Sequence, residues 1–296
     1  MSHRRLLCAL VLPFLCWAGV VHGQTPNRSE RALKTIREYA LKYTKSLPDF
    51  TCVRVTQQSI GYNQQMKVPP RLANPFINVV EEELTVSGAQ ETYRILKVDK
   101  NIPEHLLKPP PDLILRRISI GEFGRSLERI FGAETGTRFE WNRSGKLRGR
   151  PVAVLTFDVP RAHGVLVYDR LAKQDLMVGY HGLVYADAQT NAVLRVEMQS
   201  SDFPSESEFT RMELTFDYNA VKLGEHEVIL PHRFTLDLHS RILSGTVSTI
   251  ELAQESSVQA EYKKYSSAQS VITYDAGAQG DVHSIITFGT AAAPVP

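Results

Sequence analysis

GLVYADAQTNAVLRVEMQS, the stretch Gly182–Ser200, contains two segments in which apolar and polar residues alternate. Between them lies Ala188–Asn191, a run of residues that suits a turn. Alternation with a period of two is typical of a β-strand with one buried face, and two such strands across a short turn form an antiparallel hairpin. The stretch therefore predicts a β-hairpin, which belongs either to a site that does chemistry or to a wall that surrounds a ligand.

The strands predicted on either side of this hairpin repeat the two-faced pattern. Two of them carry apolar residues at every second position on one face: Met212, Leu214, Phe216 and Tyr218 in the first, and Leu230, Phe234, Leu236 and Leu238 in the second. Earlier strands are predicted in FTCVRVTQQS, in VVEEELTVSG paired with ETYRILKVD, and in TRFEWNRSGKLRGRPVAVLTFDVP with its turn at Ser144–Lys146. The first strand of the hairpin is predicted to run through LMVGYHGLVYAD. No βαβ alternation occurs, so we expect one antiparallel sheet of about nine to eleven strands, which must twist and curl.

Two segments are candidates for covering the apolar face of this sheet. The amphipathic segment Asn27–Leu47 places Leu33, Ile36, Ala40, Tyr43 and Leu47 on one side. The proline-rich segment Ile102–Gly132 contains a short helix with apolar Phe123, Leu127, Ile130 and Phe131. The predicted fold class is α+β and mostly β: a large curved antiparallel sheet, or half-barrel, with an N-terminal helix and a short helical lid segment on its concave face.

The first residues predict export. Residues 1–23 combine Arg4 and Arg5, the apolar run Leu6–Val21 and a small residue before Gln24, as in a secretory signal peptide. An uncleaved membrane anchor is the alternative, although the run is shorter than the roughly 20 residues of a spanning helix. We expect cleavage near Gly23 and a periplasmic or secreted protein, with one half-barrel domain over 24–275 and a disordered low-complexity tail over 276–296.

Charge and cysteine content narrow the possible functions. The chain has 34 basic and 32 acidic residues, and loss of Arg4 and Arg5 with the signal peptide makes the two numbers equal. This balance does not favour a nucleic acid partner, which selects for a basic face. Cys8 and Cys16 leave with the same peptide, so Cys52 has no partner for an intramolecular disulfide. Core packing must therefore stabilise the fold.

The histidines do not predict a metal site. His226, His232 and His239 lie along one extended segment, where His232 shares a strand face with Phe234 and His239 points to the opposite face. Zinc requires ligands that converge, and this spacing does not bring the three imidazoles together. We predict neither metal nor cofactor.

Other catalytic signatures are also missing from the sequence. There is no Gly-x-Ser-x-Gly elbow, no His-Glu-x-x-His pair and no phosphate-binding loop. Cys52 is interpreted as a buried thiol on a strand, and the acidic run Glu81–Glu83 as a solvated surface. The sequence therefore predicts a protein that is not an enzyme. A hydrolase of unknown class is kept as an alternative, ranked third after the two binding functions described below.

Two short motifs resemble a known family. One strand ends in Tyr185 and Asp187 and resumes with Leu194 and Arg195, and a later strand opens on Leu230-Pro231. With a signal peptide, a first helix and an antiparallel sheet with a helical interruption, this layout resembles the lipoprotein-carrier superfamily of LolA, LolB and the sensor RseB over roughly residues 30–275. The resemblance implies an unclosed β-barrel whose helices cover a hydrophobic cavity for acyl chains.

The hypothesis that follows is a monomeric, exported binding protein that holds lipid or lipoprotein acyl chains. Its predicted cavity residues are the inward apolar residues of the strands and of the lid segment: Met212, Leu214, Phe216, Phe234, Leu236, Leu113, Leu115, Phe123 and Leu127. The same residues could simply form a tight core. An alternative is an envelope interaction or sensing module that uses the same scaffold without lipid and meets an envelope protein at a sheet edge or on its outer face.

Overall fold

The computed structural model describes residues 28–62, 76–87, 90–101, 123–169, 173–200, 202–244 and 250–267. The predicted signal peptide, the predicted C-terminal tail and the proline-rich residues 102–122 lie outside these ranges. The helix and strand predictions can be compared with the structure within them.

Ten strands form one antiparallel sheet, in the order β3-β2-β1-β12-β11-β10-β9-β8-β5-β4. Within the described ranges β3 and β4 are its edges, so the sheet stays open, and two helices accompany it. The predicted mostly-β α+β half-barrel is thus confirmed. The strands are β1 Phe50–Tyr62, β2 Phe76–Ser87, β3 Gln90–Asn101, β4 Arg138–Leu147, β5 Arg150–Val159, β6 Val165–Asp169, β7 Gln174–Val178, β8 Tyr180–Asp187, β9 Val193–Ser200, β10 Phe209–Leu223, β11 His226–Ser244 and β12 Ile250–Ser267.

The hairpin predicted at Gly182–Ser200 is present as β8 and β9, with Val184 opposite Val196. Its turn is organised by Asp187, whose Oδ1 accepts the backbone N–H of Gln189 and of Thr190, both at 2.9 Å. A carboxylate that binds the backbone two and three residues ahead replaces the strand ladder with a local turn. The sequence therefore specified this turn correctly.

Two predicted boundaries are wrong. The β4–β5 turn lies at Arg148-Gly149, which both have positive φ (49° and 82°), and not at Ser144–Lys146, which continues β4. Two adjacent residues of positive φ match the twist of a tight hairpin, and an arginine gives no sign of this conformation in the sequence. The strand predicted through LMVGYHGLVYAD is also broken, because β7 ends before Gly179 and pairs with β6 in a separate two-stranded sheet.

Two helices lie on one face of the large sheet: α1, Arg28–Tyr43, and α2, Arg125–Phe131. α1 buries Ile36, Ala40 and Tyr43, as its amphipathic pattern predicts. α2 lies on the connection between β3 and β4, which are the two edges of the sheet. The helix predicted in the lid segment packs against the apolar cluster on that face. In the part of the chain that the structure describes, neither helix is long and apolar enough to cross a membrane.

Candidate ligand-binding face

The face of the sheet that contacts α1 and α2, here called the inner face, carries the five predicted cavity residues that lie on strands. Leu214 is opposite Leu236 and Phe216 is opposite Phe234, so these four side chains form a block across β10 and β11. Seven of the nine predicted residues belong to one apolar cluster, and each is at most 4% exposed; these are Met212, Leu214, Phe216, Phe234, Leu236, Phe123 and Leu127. Leu113 and Leu115 lie outside the described residues.

The helices meet the inner face through aromatic rings. Phe123, just ahead of α2, has its ring centroid 5.5 Å from those of both Phe50 and Tyr262. Tyr43, at the end of α1, meets Tyr218 edge-on at 6.1 Å. Such ring pairs add about 0.5–1.5 kcal/mol each to the free energy of area burial. In this arrangement the side chains of the inner face pack on the helices. A ligand that binds between them would therefore have to break some of these contacts.

Arg37 joins the two helices to each other. Its Nε donates to the carbonyl oxygen of Phe131 at 2.7 Å, and its Nη2 donates to that of Gly132 at 3.1 Å. These carbonyls end α2, where no further turn of helix would satisfy them, and a cation is favourable at that end of the helix dipole. The bonds make α1 and α2 neighbours that are held by polar contacts as well as by the sheet beneath them.

A buried ion pair occupies the same face nearer to one edge. Arg54 donates from Nη2 to Oε2 of Glu82 at 2.7 Å and from Nε at 3.1 Å, and both side chains are nearly inaccessible. The Tyr93 ring lies 4.4 Å from the guanidinium carbon of Arg54, within range of a cation–π interaction. The interpretation of Glu81–Glu83 as a wholly solvated run is therefore wrong at its central residue.

The position of this pair in the strands explains why it is buried. Arg54 lies two residues beyond Cys52 on β1 and opposite Glu82 on β2, so strand parity turns both charges inward. The signal available in the sequence was this parity, which also points Leu84 and Val86 inward. Residue type alone predicts that Arg54 and Glu82 are exposed, because charged side chains are rarely buried.

Two buried hydroxyls have no hydrogen-bond partner among the described residues, those of Tyr43 and Thr56. Burial raises the pKa of Tyr43 well above its usual value, and the neighbouring phenols of Tyr218 and Tyr39 raise it further. An unpaired buried hydroxyl costs about 1–3 kcal/mol. Each of these groups is therefore a place where a bonding partner would be favourable.

A pocket of about 340 Å³ opens beside Tyr43, between the end of α1 and the start of β11. We call it the α1-end pocket. Its lining comes from the helix end and from three consecutive strand residues: Tyr39, Lys42, Tyr43, Ser46, Leu47, Glu227, Val228 and Ile229. Tyr39, Leu47, Val228 and Ile229 also pack against the main apolar cluster, so the pocket borders the inner face. No local sequence pattern indicates this pocket, because it forms between segments that are far apart in the chain.

The opposite face of the sheet carries many polar side chains on β8 to β11. A shallow groove of about 480 Å³ there is lined by side chains such as His181, Glu197, Glu213 and Asp237. Arg195, one of the motif residues, forms a two-point ion pair with Asp217, with Nε–Oδ1 at 2.8 Å and Nη2–Oδ2 at 3.0 Å. This motif arginine therefore stabilises the pairing of β9 with β10 and does not reach the inner face.

The other candidate groups do not assemble into a reactive centre. Cys52 is 2% exposed on the inner face, as a buried thiol is expected to be. His232 is the extra residue of a bulge, because Asp217 pairs with Arg233 while Tyr218 pairs with Pro231, and it is exposed rather than on the face of Phe234 as the sequence predicted. Among the described residues no group of three or more His, Cys, Asp or Glu side chains could hold a metal ion.

No family model matches the chain, and no curated protein matches it. Three solved structures are similar to it in fold. A domain assigned to outer membrane lipoprotein sorting from Vibrio parahaemolyticus is 11% identical, with 80% of this chain and 92% of that chain covered and a TM-score of 0.33. A DUF1329 family protein from Desulfovibrio piger is 7% identical (84% and 95% covered, TM-score 0.32), and the lipoprotein LppX from Mycobacterium tuberculosis is 9% identical (81% and 98% covered, TM-score 0.26).

These likenesses concern the fold alone. At TM-scores of 0.26–0.33 they carry no conclusion about the ligand, the site or the partner of this chain.

Proposed function

We propose that this chain is an exported, non-enzymatic binding protein that holds a hydrophobic ligand, a lipid or the acyl chains of a lipoprotein, between the inner face and the two helices. The observation that carries the proposal is that a broad apolar face of an open sheet is covered by two helices which meet it through ring contacts and are bonded to each other through Arg37. Helices joined in this way can leave the face together and return to it.

The free energy gained by burying a lipid chain is large enough to offset the loss of side-chain contacts between the helices and the sheet. Each CH₂ group moved from water to an apolar site contributes about 0.8 kcal/mol, so a chain of about 14 carbons contributes about 11 kcal/mol. Exposing one buried Phe or Leu side chain costs about 1.5–3 kcal/mol. One acyl chain can therefore offset the exposure of several of the side chains now buried between helices and sheet, such as Phe123 and Leu127.

Photo-crosslinking tests the proposal with the resolution of single residues. The mature protein is incubated with a diazirine-bearing fatty acid, irradiated and mapped by peptide mass spectrometry. On β10 we expect label at Met212, Leu214 and Phe216, and none at the alternate residues Glu213 and Thr215, which line the polar groove. Native mass spectrometry of gently purified protein should show bound lipid as well. A lipid-free mass together with no uptake of the probe would remove the proposal.

A second candidate, an interaction module that works without lipid, is favoured by a separate observation. Among the described residues the large apolar side chains exposed to solvent are Ile95, Leu96 and Trp141, and all three lie on the edge strands β3 and β4. An exposed sheet edge can accept a strand from a partner. A photoreactive amino acid at Leu96 or Trp141 should then form a defined protein adduct in the cell envelope even when the inner-face probe finds no lipid.

A further inference from the structure

The α1-end pocket differs from the rest of the inner face because it combines apolar surface with charged and polar side chains. Leu47, Val228 and Ile229 supply apolar surface, and all three pack against the main cluster. With a volume of about 340 Å³ the pocket is at the lower end of the range seen for small-molecule sites, about 300–1,000 Å³. It is large enough for a polar head group and too small for a whole lipid.

An unbroken row of rings leads from this pocket onto the inner face. Tyr43 contacts Tyr218 with ring centroids 6.1 Å apart, Tyr218 contacts Phe216 at 6.5 Å, and Phe216 contacts Phe234 at 6.4 Å. The last two residues are among those predicted from the sequence to contact the ligand. A chain lying on Phe234 and Phe216 would therefore reach the pocket at its end without leaving apolar surface.

The pocket carries side chains of both signs of charge. Lys42 on α1 and Glu227 on β11 are exposed, and neither forms an ion pair within the part of the chain that the structure describes. The Tyr43 hydroxyl at the same pocket is buried and lacks a partner there. Ser46 is already engaged, since its hydroxyl donates to the Tyr43 carbonyl oxygen at 3.1 Å.

A head group with a single charge can form a favourable ion pair with only one of the two residues, Lys42 or Glu227. A simple anion would meet Lys42 but would face the carboxylate of Glu227, and a simple cation would have the reverse problem. A phosphate joined to an ammonium matches both, because the ammonium of Lys42 and the phenol of Tyr43 can donate to phosphate oxygens while Glu227 accepts from the ligand ammonium.

We propose that the α1-end pocket binds the zwitterionic head group of an amphiphile, a phosphate with an attached primary ammonium, whose chain lies along the ring row on the inner face. This inference rests on the proposed function and adds the class of head group to it. Because Lys42 and Glu227 are exposed, each contact changes affinity only modestly, about threefold to fivefold. The contacts therefore set selectivity between lipids, while the chain supplies most of the affinity.

The test measures displacement of a bound fluorescent fatty acid by two lysophospholipids with the same 14-carbon chain, below the concentration at which they form micelles. One carries phosphoethanolamine and the other phosphoglycerol. Wild-type protein should prefer the ethanolamine lipid about threefold to fivefold. Lys42→Gln should weaken both lipids by a similar factor, and Glu227→Gln should remove the preference between them.

Matched controls come from the same elements. Lys34→Gln on α1 and Glu225→Gln just before β11 remove the same charges from exposed positions outside the pocket lining, and they should leave both affinities unchanged. If both lipids bind equally well to wild-type protein and the Lys42 and Glu227 variants behave like these controls, the head-group pocket is refuted while the lipid-binding function stands. If no lipid displaces the probe and the probe itself does not bind, the proposed function fails and this inference fails with it.

Discussion

Arg54 and Glu82 lie opposite each other on β1 and β2 and form an ion pair with an Nη2–Oε2 distance of 2.7 Å beneath the surface of the inner face. The pair places two full charges beside a face that is mostly apolar. Removing charges from water is expensive, so such a pair is favourable only while both partners remain. It links β1 to β2 at the side of the face nearest edge strand β3.

Glu82→Gln should therefore destabilise the protein strongly. The arginine would keep its charge and lose the carboxylate of Glu82, and breaking a buried pair in this way costs about 3–5 kcal/mol. Urea unfolding followed by circular dichroism measures the loss. The double variant Arg54→Met, Glu82→Leu is the control, because it removes both charges and should lose less than the single variant does. A single variant as stable as wild-type protein would show that the pair does not hold this part of the sheet.

Arg37→Ala tests whether the helices act as one cover. Loss of the two hydrogen bonds to Phe131 and Gly132 should reduce the free energy of unfolding by about 1–2 kcal/mol and loosen α2 from α1. If the helices must leave the inner face before a lipid enters, uptake of a fluorescent fatty acid should become several times faster. Glu38→Ala, a change at the next and exposed position of α1, should leave both quantities unaltered. If the free energy of unfolding falls but the rate of uptake does not change, the hydrogen bonds are supported, and the idea that the two helices must leave the inner face before a lipid enters is contradicted.

Gly182→Ala should damage the central hairpin. A Cβ atom at Gly182 would lie 1.8 Å from the carbonyl oxygen of Glu197 on the paired strand, so the backbones of β8 and β9 would have to separate. We expect a loss of about 3 kcal/mol in the free energy of unfolding. Gly145→Ala in β4 is the control, because the nearest atom to its Cβ would be a Val152 methyl carbon at 3.9 Å, an ordinary contact. Equal stability of the two variants would contradict the close approach of β8 to β9.

Strand parity made most of the inner face predictable. The alternation through Met212, Leu214 and Phe216 maps directly onto one face, because each paired strand keeps its period of two. The same rule places Arg54 and Glu82 inside, although their residue types predict the surface. Parity fails at His232, since the bulge inserts one residue and turns it outward.

Contacts between distant segments could not be predicted. The bond from Arg37 reaches a backbone carbonyl 94 residues away, and a carbonyl oxygen carries no sequence signal. The α1-end pocket likewise depends on how the end of a helix meets Val228 and Ile229. The turn at Arg148 was missed because Gly145 is the more obvious turn residue, yet Gly145 pairs with Val152 inside the strand.

The stability of the protein should fall in strong alkali through Tyr180, which packs edge-on against Phe157. Burial raises the pKa of Tyr180 to about 12, from a usual value of 10.0. Between pH 10 and about 12 the unfolded chain loses this proton while the folded chain keeps it, so the unfolded state binds fewer protons and the free energy of unfolding decreases as pH rises. At about 1.4 kcal/mol per pKa unit the contribution approaches about 2–3 kcal/mol.

Urea midpoints measured from pH 9 to pH 12 on wild-type protein and on Tyr180→Phe, which cannot ionise, should separate: the variant should lose less stability over this interval. Parallel curves for the two proteins would show that the phenol of Tyr180 titrates normally and is not buried as described.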